Sequence, residues 1–84
     1  MTPQPVRVKS ITVPAARRKV LHPETVRALA GDIIKNGLRE PITVRAKGRR
    51  FLLVEGMHRL EAVKWLERDT IEANVLPEAA KGEA

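Results

Sequence analysis

The sequence predicts a small α/β (α+β) domain, a mixed β-sheet with helices packed on it, in the order β-α-β-β-α-β. Three observations carry that prediction. Residues 6–13, 42–45, 51–55 and 70–76 are short apolar or alternating runs of strand length. Residues 23–36 and 58–67 instead repeat their apolar positions at the three–four spacing of a helix. Proline and glycine fall at the joints between these runs, as Pro14, Asn36-Gly37, Pro41, Gly48, Gly56 and Pro77.

Residues 1–5 are proline-rich and read as a loose start. Val6, Val8, Ile11 and Val13 keep a period of two apart from a slip at Ser10, which gives a half-buried strand in two pieces with Arg7 and Lys9 on the wet face. Pro14 ends it, and Arg17-Arg18-Lys19 follows as a basic cluster in a loop, either solvated or reaching toward an anion. Leu21-His22-Pro23-Glu24 opens the first helix. Proline suits the first helical position, Glu24 the positive dipole end, and Leu21 can pack on Val26. Val26, Leu29, Ala30, Ile33 and Ile34 form its buried stripe, and Asn36-Gly37 stops it. His22 reads as a helix-boundary residue.

Ile42 to Arg45 is an alternating strand after Pro41. Lys47-Gly48-Arg49-Arg50 turns a hairpin, its charges those of a solvated tip, into Phe51–Glu55, a strand expected to be buried on both faces. The second helix runs from about His58 to Glu67, with Leu60, Val63 and Leu66 inward and Ala62 and Trp65 at the flanks. Ile71, Ala73 and Val75 face inward on the last strand. One domain is expected over residues 6–76, with flexible tails at 1–5 and 77–84.

Composition narrows the function. Sixteen Lys or Arg against ten Asp or Glu give a net charge of +6, which favours polyanionic partners, nucleotide or DNA. One Phe and one Trp make the core aliphatic and argue against aromatic base-stacking modules. The absence of cysteine removes disulfides, thiolate catalysis and cysteine-based zinc sites, and two histidines do not make a metal centre, so no intrinsic metal is expected. No apolar run approaches a membrane span and the start lacks a signal-peptide pattern, so no membrane partner and a cytoplasmic location are expected.

The stretch of greatest chemical interest is the joint at Gly56. A strand that turns through glycine straight into a helix leaves unpaired N–H groups at the positive end of the helix dipole, a site suited to phosphate. Gly56, Met57, His58 and Arg59 would form it, with Arg17, Arg18 and Lys19 contributing from the loop. The alternative is a plain tight turn with Arg59 in solvent. Were there catalysis, His58 would be the general acid or base, since histidine titrates near neutral pH, and Glu55 or Glu61 would bind Mg²⁺ through oxygen.

Three segments resemble the ParB/sulfiredoxin superfamily: Gly37-Leu38-Arg39-Glu40-Pro41-Ile42-Thr43-Val44, Val54-Glu55-Gly56-Met57-His58-Arg59-Leu60-Glu61-Ala62, and Thr70-Ile71-Glu72-Ala73. The resemblance covers about residues 6–76. It implies an αβ domain whose Gly-x-x-Arg turn binds nucleotide phosphates. The partition-protein branch carries Gly-Glu-Arg-Arg-x-Arg-Ala and binds and hydrolyses CTP while clamping DNA. Gly56, Arg59 and Ala62 match that box, whereas Met57, His58 and Glu61 replace its Glu, its first Arg and its last Arg. The sulfiredoxin branch carries Gly-Cys-His-Arg, and Met57 stands where its cysteine would be. Without a thiolate there is no sulfinic-acid repair chemistry.

The chain is therefore similar to the stand-alone ParB-like domains, some of them labelled nuclease-like. The expected function is binding of nucleotide or nucleic-acid phosphates at a Gly-x-His-Arg helix start, in association with DNA. No cofactor is required; a nucleoside triphosphate with Mg²⁺ is the candidate ligand. The alternatives are a phosphotransferase or nuclease-type enzyme with weak or slow turnover, and a protein-interaction adaptor.

Overall fold

The computed structural model describes residues 2–18 and 20–78. The chain runs β1 (Gln4–Arg7), a 3₁₀ turn (Val8–Ser10), β2 (Ile11–Thr12), α1 (Ala15–Arg18), α2 (Pro23–Asn36), β3 (Ile42–Lys47), β4 (Arg50–Glu55), α3 (Met57–Trp65) and β5 (Thr70–Leu76). The five strands form one mixed sheet in the order β1-β5-β3-β4-β2. β3 is central, parallel to β5 and antiparallel to β4.

The expected first strand is split at Ser10, and its halves go to opposite edges. β1 lies antiparallel on β5, with Val6 opposite Ile71, and β2 lies parallel on β4, with Ile11 opposite Phe51. A flat sheet of five strands is about 19 Å across, at about 4.8 Å per strand. Four residue steps from Arg7 to Ile11 reach at most about 14 Å even when extended. The sheet therefore curls until its two edges approach each other. The 3₁₀ turn that joins them is fixed by the Val8 N–H, which donates to the Asp69 carbonyl oxygen at 2.9 Å.

The core is aliphatic, as the composition requires. Val6, Val8, Ile11, Val13, Val26, Ala30, Ile33, Ile42, Val44, Leu53, Met57, Leu60, Ala62, Val63, Ile71 and Ala73 are buried. Among the described residues no polar residue is fully buried. α2 packs on α3, α3 packs on β3, and Val26, Ala30 and Ile33 of α2 join the same core. On α2, Pro23 occupies the first helical turn, and Gly37 ends the helix at φ 76°, its N–H donating to the Ile33 carbonyl oxygen.

Several expectations are corrected. Gln4 and Pro5 are paired with Ala73 and Glu72, so the strand begins inside the stretch read as a loose tail. Arg17 and Arg18 belong to the short helix α1 rather than to a loop, because Pro14-Ala15-Ala16 offers a proline entry and two helix formers. Ile34 is 66% exposed and Trp65 61% exposed. The contact stripe of α2 is the narrow 26–30–33 row, and Ile34 lies a further 100° round the helix. Trp65 is two residues from the inward Val63, hence on the opposite side of α3. On β4 only Leu53 is buried, while Phe51, Leu52 and Val54 are half-buried and Glu55 exposed. The helices cover only one face of the sheet, so β4 cannot be enclosed on both.

Candidate functional site

The joint between β4 and α3 is built around one backbone conformation. Gly56 has φ 103° and ψ 31°, a left-handed geometry that L side chains rarely adopt. It also lies against the central strand. A Cβ placed on it would sit 2.6 Å from Ile42 Cγ2 and 3.0 Å from Ile42 Cβ. Only glycine lets the chain turn there while the start of α3 stays pressed on the sheet.

The turn delivers an uncapped helix start. Gly56 supplies no side-chain cap, and no acidic residue occupies the first turn of α3. The first intrahelical bond is Leu60 N–H to the Gly56 carbonyl oxygen at 3.0 Å, so the N–H groups of Met57, His58 and Arg59 have no intrahelical acceptor. Beside them is a cavity of about 390 Å³ lined by Val20, Leu29, Gly56, Met57, His58 and Arg59. A second, of about 370 Å³, lies across Met57 and is lined by Val13, Arg18, Leu21, Met57, Glu61 and Lys64.

The predicted site residues divide. Gly56, Met57, His58 and Arg59 line one cavity together. The Met57 side chain is 7% exposed and belongs to the core, so only its amide faces the function expected of it. α1 brings Arg18 to the neighbouring cavity with Glu61, whose carboxylate pairs with Lys64 at 3.1 Å. Lys19 and the Arg17 side chain lie outside the described residues. Glu55 ends β4 opposite Thr43 and is exposed. Among the described residues no three His, Cys, Asp or Glu gather as a metal cluster would require.

His58 is tied to the start of α2. Its Nε2 accepts the backbone N–H of His22 at 3.1 Å, and the two imidazoles stack at 5.7 Å and 6°. An acceptor Nε2 is an unprotonated one, so the ring proton is on Nδ1. His22 is the residue preceding α2, as the sequence indicates, but its partnership with His58 bridges 36 positions.

Arg59 is half-buried and engaged. Its Nη1 donates to the Pro41 carbonyl oxygen at 3.2 Å and its Nη2 to Glu40 Oε2 at 3.1 Å. Glu40 is exposed, so this pair contributes little to stability but sets where the guanidinium points. The loop that carries Glu40 is fastened by Arg39, which grips Asp32 through Nε at 2.9 Å and Nη2 at 3.1 Å. The bonds from Arg39, with a further one from Asn36, hold the Asp32 carboxyl below the usual carboxylate range, and the bonds to Asp32 raise Arg39.

A larger hollow, about 900 Å³, opens at the other end of α3 among Arg7, Lys9, Lys64, Glu67, Arg68 and Asp69. It lies at the negative end of the helix dipole with two carboxylates among its cations, so it favours an anion less than the joint does.

The sequence profile of the ParB N-terminal domain matches residues 2–81. The chain belongs to the ParB N-terminal domain family. None of the curated proteins matches this ParB N-terminal domain by sequence. Among solved structures it is similar to sulfiredoxin from Arabidopsis thaliana, at TM-score 0.82 and 25% identity over 92% of this chain and 86% of that one. It is also similar to the C-terminally truncated chromosome-partitioning protein ParB from Caulobacter crescentus complexed with CTP-γ-S. That match has a TM-score of 0.79 and 20% identity over 96% of this chain and 47% of the other. A free serine kinase variant in complex with ADP matches at TM-score 0.77 and 15% identity, over 90% of this chain and 31% of the kinase. The ParB N-terminal domain thus spans less than half the length of the latter two, and likeness at those identities shows the shared fold.

Proposed function

We propose that this ParB N-terminal domain binds the phosphates of a nucleoside triphosphate at the first turn of α3, and that it acts in the cytoplasm in association with DNA. The observation that carries the nucleotide reading is the left-handed Gly56, after which three N–H groups have no intrahelical acceptor and stand beside a cavity of about 390 Å³ with Arg59 on its wall. Two similar structures, complexed with CTP-γ-S and ADP, lend it support. In this reading Gly56 admits the phosphate to the backbone, the Met57–Arg59 amides and the His58 Nδ1–H donate to it, and Arg59 leaves Glu40 for the anion. Arg18, with Arg17 and Lys19 near it in sequence, adds positive charge. Mg²⁺ enters with the triphosphate, held by phosphate and water oxygens with at most Glu55 or Glu61 from the protein. Binding is favoured over turnover, since Nε2 of His58 is already committed to His22 and Met57 carries no nucleophile. The net charge of +6 supports the DNA association.

The experiment is a titration with CTP, ATP and GTP, with and without Mg²⁺, followed by amide chemical shifts. The largest changes are expected at Gly56, Met57, His58 and Arg59. Arg59→Ala should lose roughly 1.5–3 kcal/mol of affinity, the worth of a charged hydrogen bond. Glu40→Gln should gain affinity by releasing Arg59. Nucleotide binding that is unchanged in both variants, or shifts confined to the 47–50 turn, would overturn the assignment.

A further inference from the structure

The β3–β4 hairpin concentrates cations that make no ion pair among the described residues. Lys47 and Arg50 are directly opposite each other across the two strands, a like-charge pair that disfavours the hairpin. Arg49 is at the turn, and Arg45 is on the same sheet face as Lys47, one pleat back. Among the described residues the ion pairs are Arg39–Asp32, Arg59–Glu40 and Lys64–Glu61, and none involves these four.

Two of the four are held in place by neutral acceptors. Arg50 donates from Nε to Thr12 Oγ1 at 3.0 Å and from Nη2 to the Lys9 carbonyl oxygen at 3.2 Å. Arg45 donates from Nη1 to the Pro77 carbonyl oxygen at 3.0 Å. Such bonds fix a guanidinium's position and leave its charge whole. Among the described residues one carboxylate, Glu78, bonds the hairpin, where its Oε1 accepts the Gly48 N–H at 2.8 Å. The other acids of this helix-free face lie away from the hairpin, Glu55 at the end of β4 opposite Thr43 and Glu72 near the start of β5 opposite Pro5.

We propose that the hairpin tip and the basic end of the helix-free face bind the backbone phosphates of duplex DNA. This surface is separate from the nucleotide site, because Arg50 and Glu55 stand at opposite ends of β4, about 17 Å apart at strand rise. The inference rests on the DNA association proposed above and not on the nucleotide reading. It locates that association at Arg45, Lys47, Arg49 and Arg50, with four phosphates within reach and no base contact required.

The test uses the full chain, a 20-base-pair duplex of arbitrary sequence, and the double variant Lys47→Gln/Arg49→Gln. Both side chains are exposed, and the variant relieves the like-charge pair, so its melting temperature should not fall. The wild type should bind with a log–log salt slope near −3.6, about −0.9 for each of four phosphates, and the variant with a slope near −1.8 and at least ten-fold weaker affinity at 0.1 M salt. Nucleotide binding should be the same in both. A variant that binds the duplex like the wild type would overturn this surface while leaving the DNA association standing. A wild type that binds no duplex would overturn both. Retention on phosphatidylserine vesicles without retention of the duplex would replace nucleic acid with membrane and overturn the proposal. Loss of nucleotide and duplex binding together would show that the change is not local, and would also overturn it.

Discussion

Replacing Gly56 by alanine tests the central geometric claim. The new Cβ would meet Ile42 Cγ2 at 2.6 Å, Ile42 Cβ at 3.0 Å and the Ile42 Cα at 3.3 Å, with φ at 103°. The left-handed backbone costs about 1–2 kcal/mol for a side chain. Forcing a methyl group against a fully buried residue of the central strand costs about 1–3 kcal/mol more. A domain of this size is stable by roughly 4–13 kcal/mol, at about 0.05–0.15 per residue. A central loss of about 3 kcal/mol would lower the melting temperature by roughly 12–24 °C. Urea and thermal unfolding followed by circular dichroism would measure it. The same substitution in an Ile42→Leu background should cost about 1 kcal/mol less, because leucine has no Cγ2, while the contacts to Cβ and Cα persist. A Gly56→Ala loss below about 0.5 kcal/mol, or no coupling to Ile42→Leu, would refute the tight approach of the α3 start to β3.

Three further outcomes follow from named contacts. Glu67 has φ 57° just past α3, where its N–H bonds the Lys64 carbonyl oxygen and the Arg68 N–H bonds that of Val63; this is a left-handed helix stop in which glycine is the usual residue. Glu67→Gly should therefore stabilise the domain by roughly 0.5–1 kcal/mol in urea unfolding, net of the freedom glycine adds to the unfolded chain. Because the Asp32 carboxyl is lowered by its bonds from Arg39 and Asn36, its contribution is complete above the unfolded value near 3.9 and fades as pH falls through the lower folded value. The stability difference between wild type and Asp32→Asn should thus be constant above about pH 5 and should narrow in acid, as read by urea midpoints across pH. His58→Gln places an amide oxygen where Nε2 stood and should keep the bond from the His22 N–H, whereas His58→Ala should lose about 0.5–1.5 kcal/mol and expose the His22 amide to faster hydrogen exchange.

Periodicity and glycine chemistry made most of the elements legible. The stripe of α2, the Gly37 stop, the hairpin and the strand–Gly56–helix joint can all be read within a few residues of the chain. Two kinds of feature could not be read that way. One is which face the tertiary contacts choose: Ile34 and Trp65 have the right residue type for a core, and only the narrow packing of α2 and α3 leaves them outside. The other is pairing at a distance. Nothing near Arg59 in sequence announces Glu40 and Pro41, nothing near His58 announces the His22 amide, and Gly56 gives no hint that Ile42 stands behind it. The split of the first strand was readable from the slip at Ser10, but its dispatch to opposite edges follows only from the curl of the sheet.

That split ties the fold to the order in which the chain is made. Val6 leaves the ribosome some 65 residues ahead of Ile71, its partner, a wait of roughly 3–13 s at about 5–20 residues per second. The β3–β4 hairpin and the α2–α3 pair can assemble in that interval, since their contacts are closer in sequence. β1 cannot, because the strand it pairs with does not yet exist. Throughout the wait Val6 and its neighbour Val8 lack the strand they pack beside, although Ile11 can join Phe51 as soon as β4 is made, and an apolar segment left open in this way is the kind that associates with its own copies. Arg7 and Lys9, exposed in the finished sheet, interrupt that stretch with charge and keep nascent chains apart until β5 arrives.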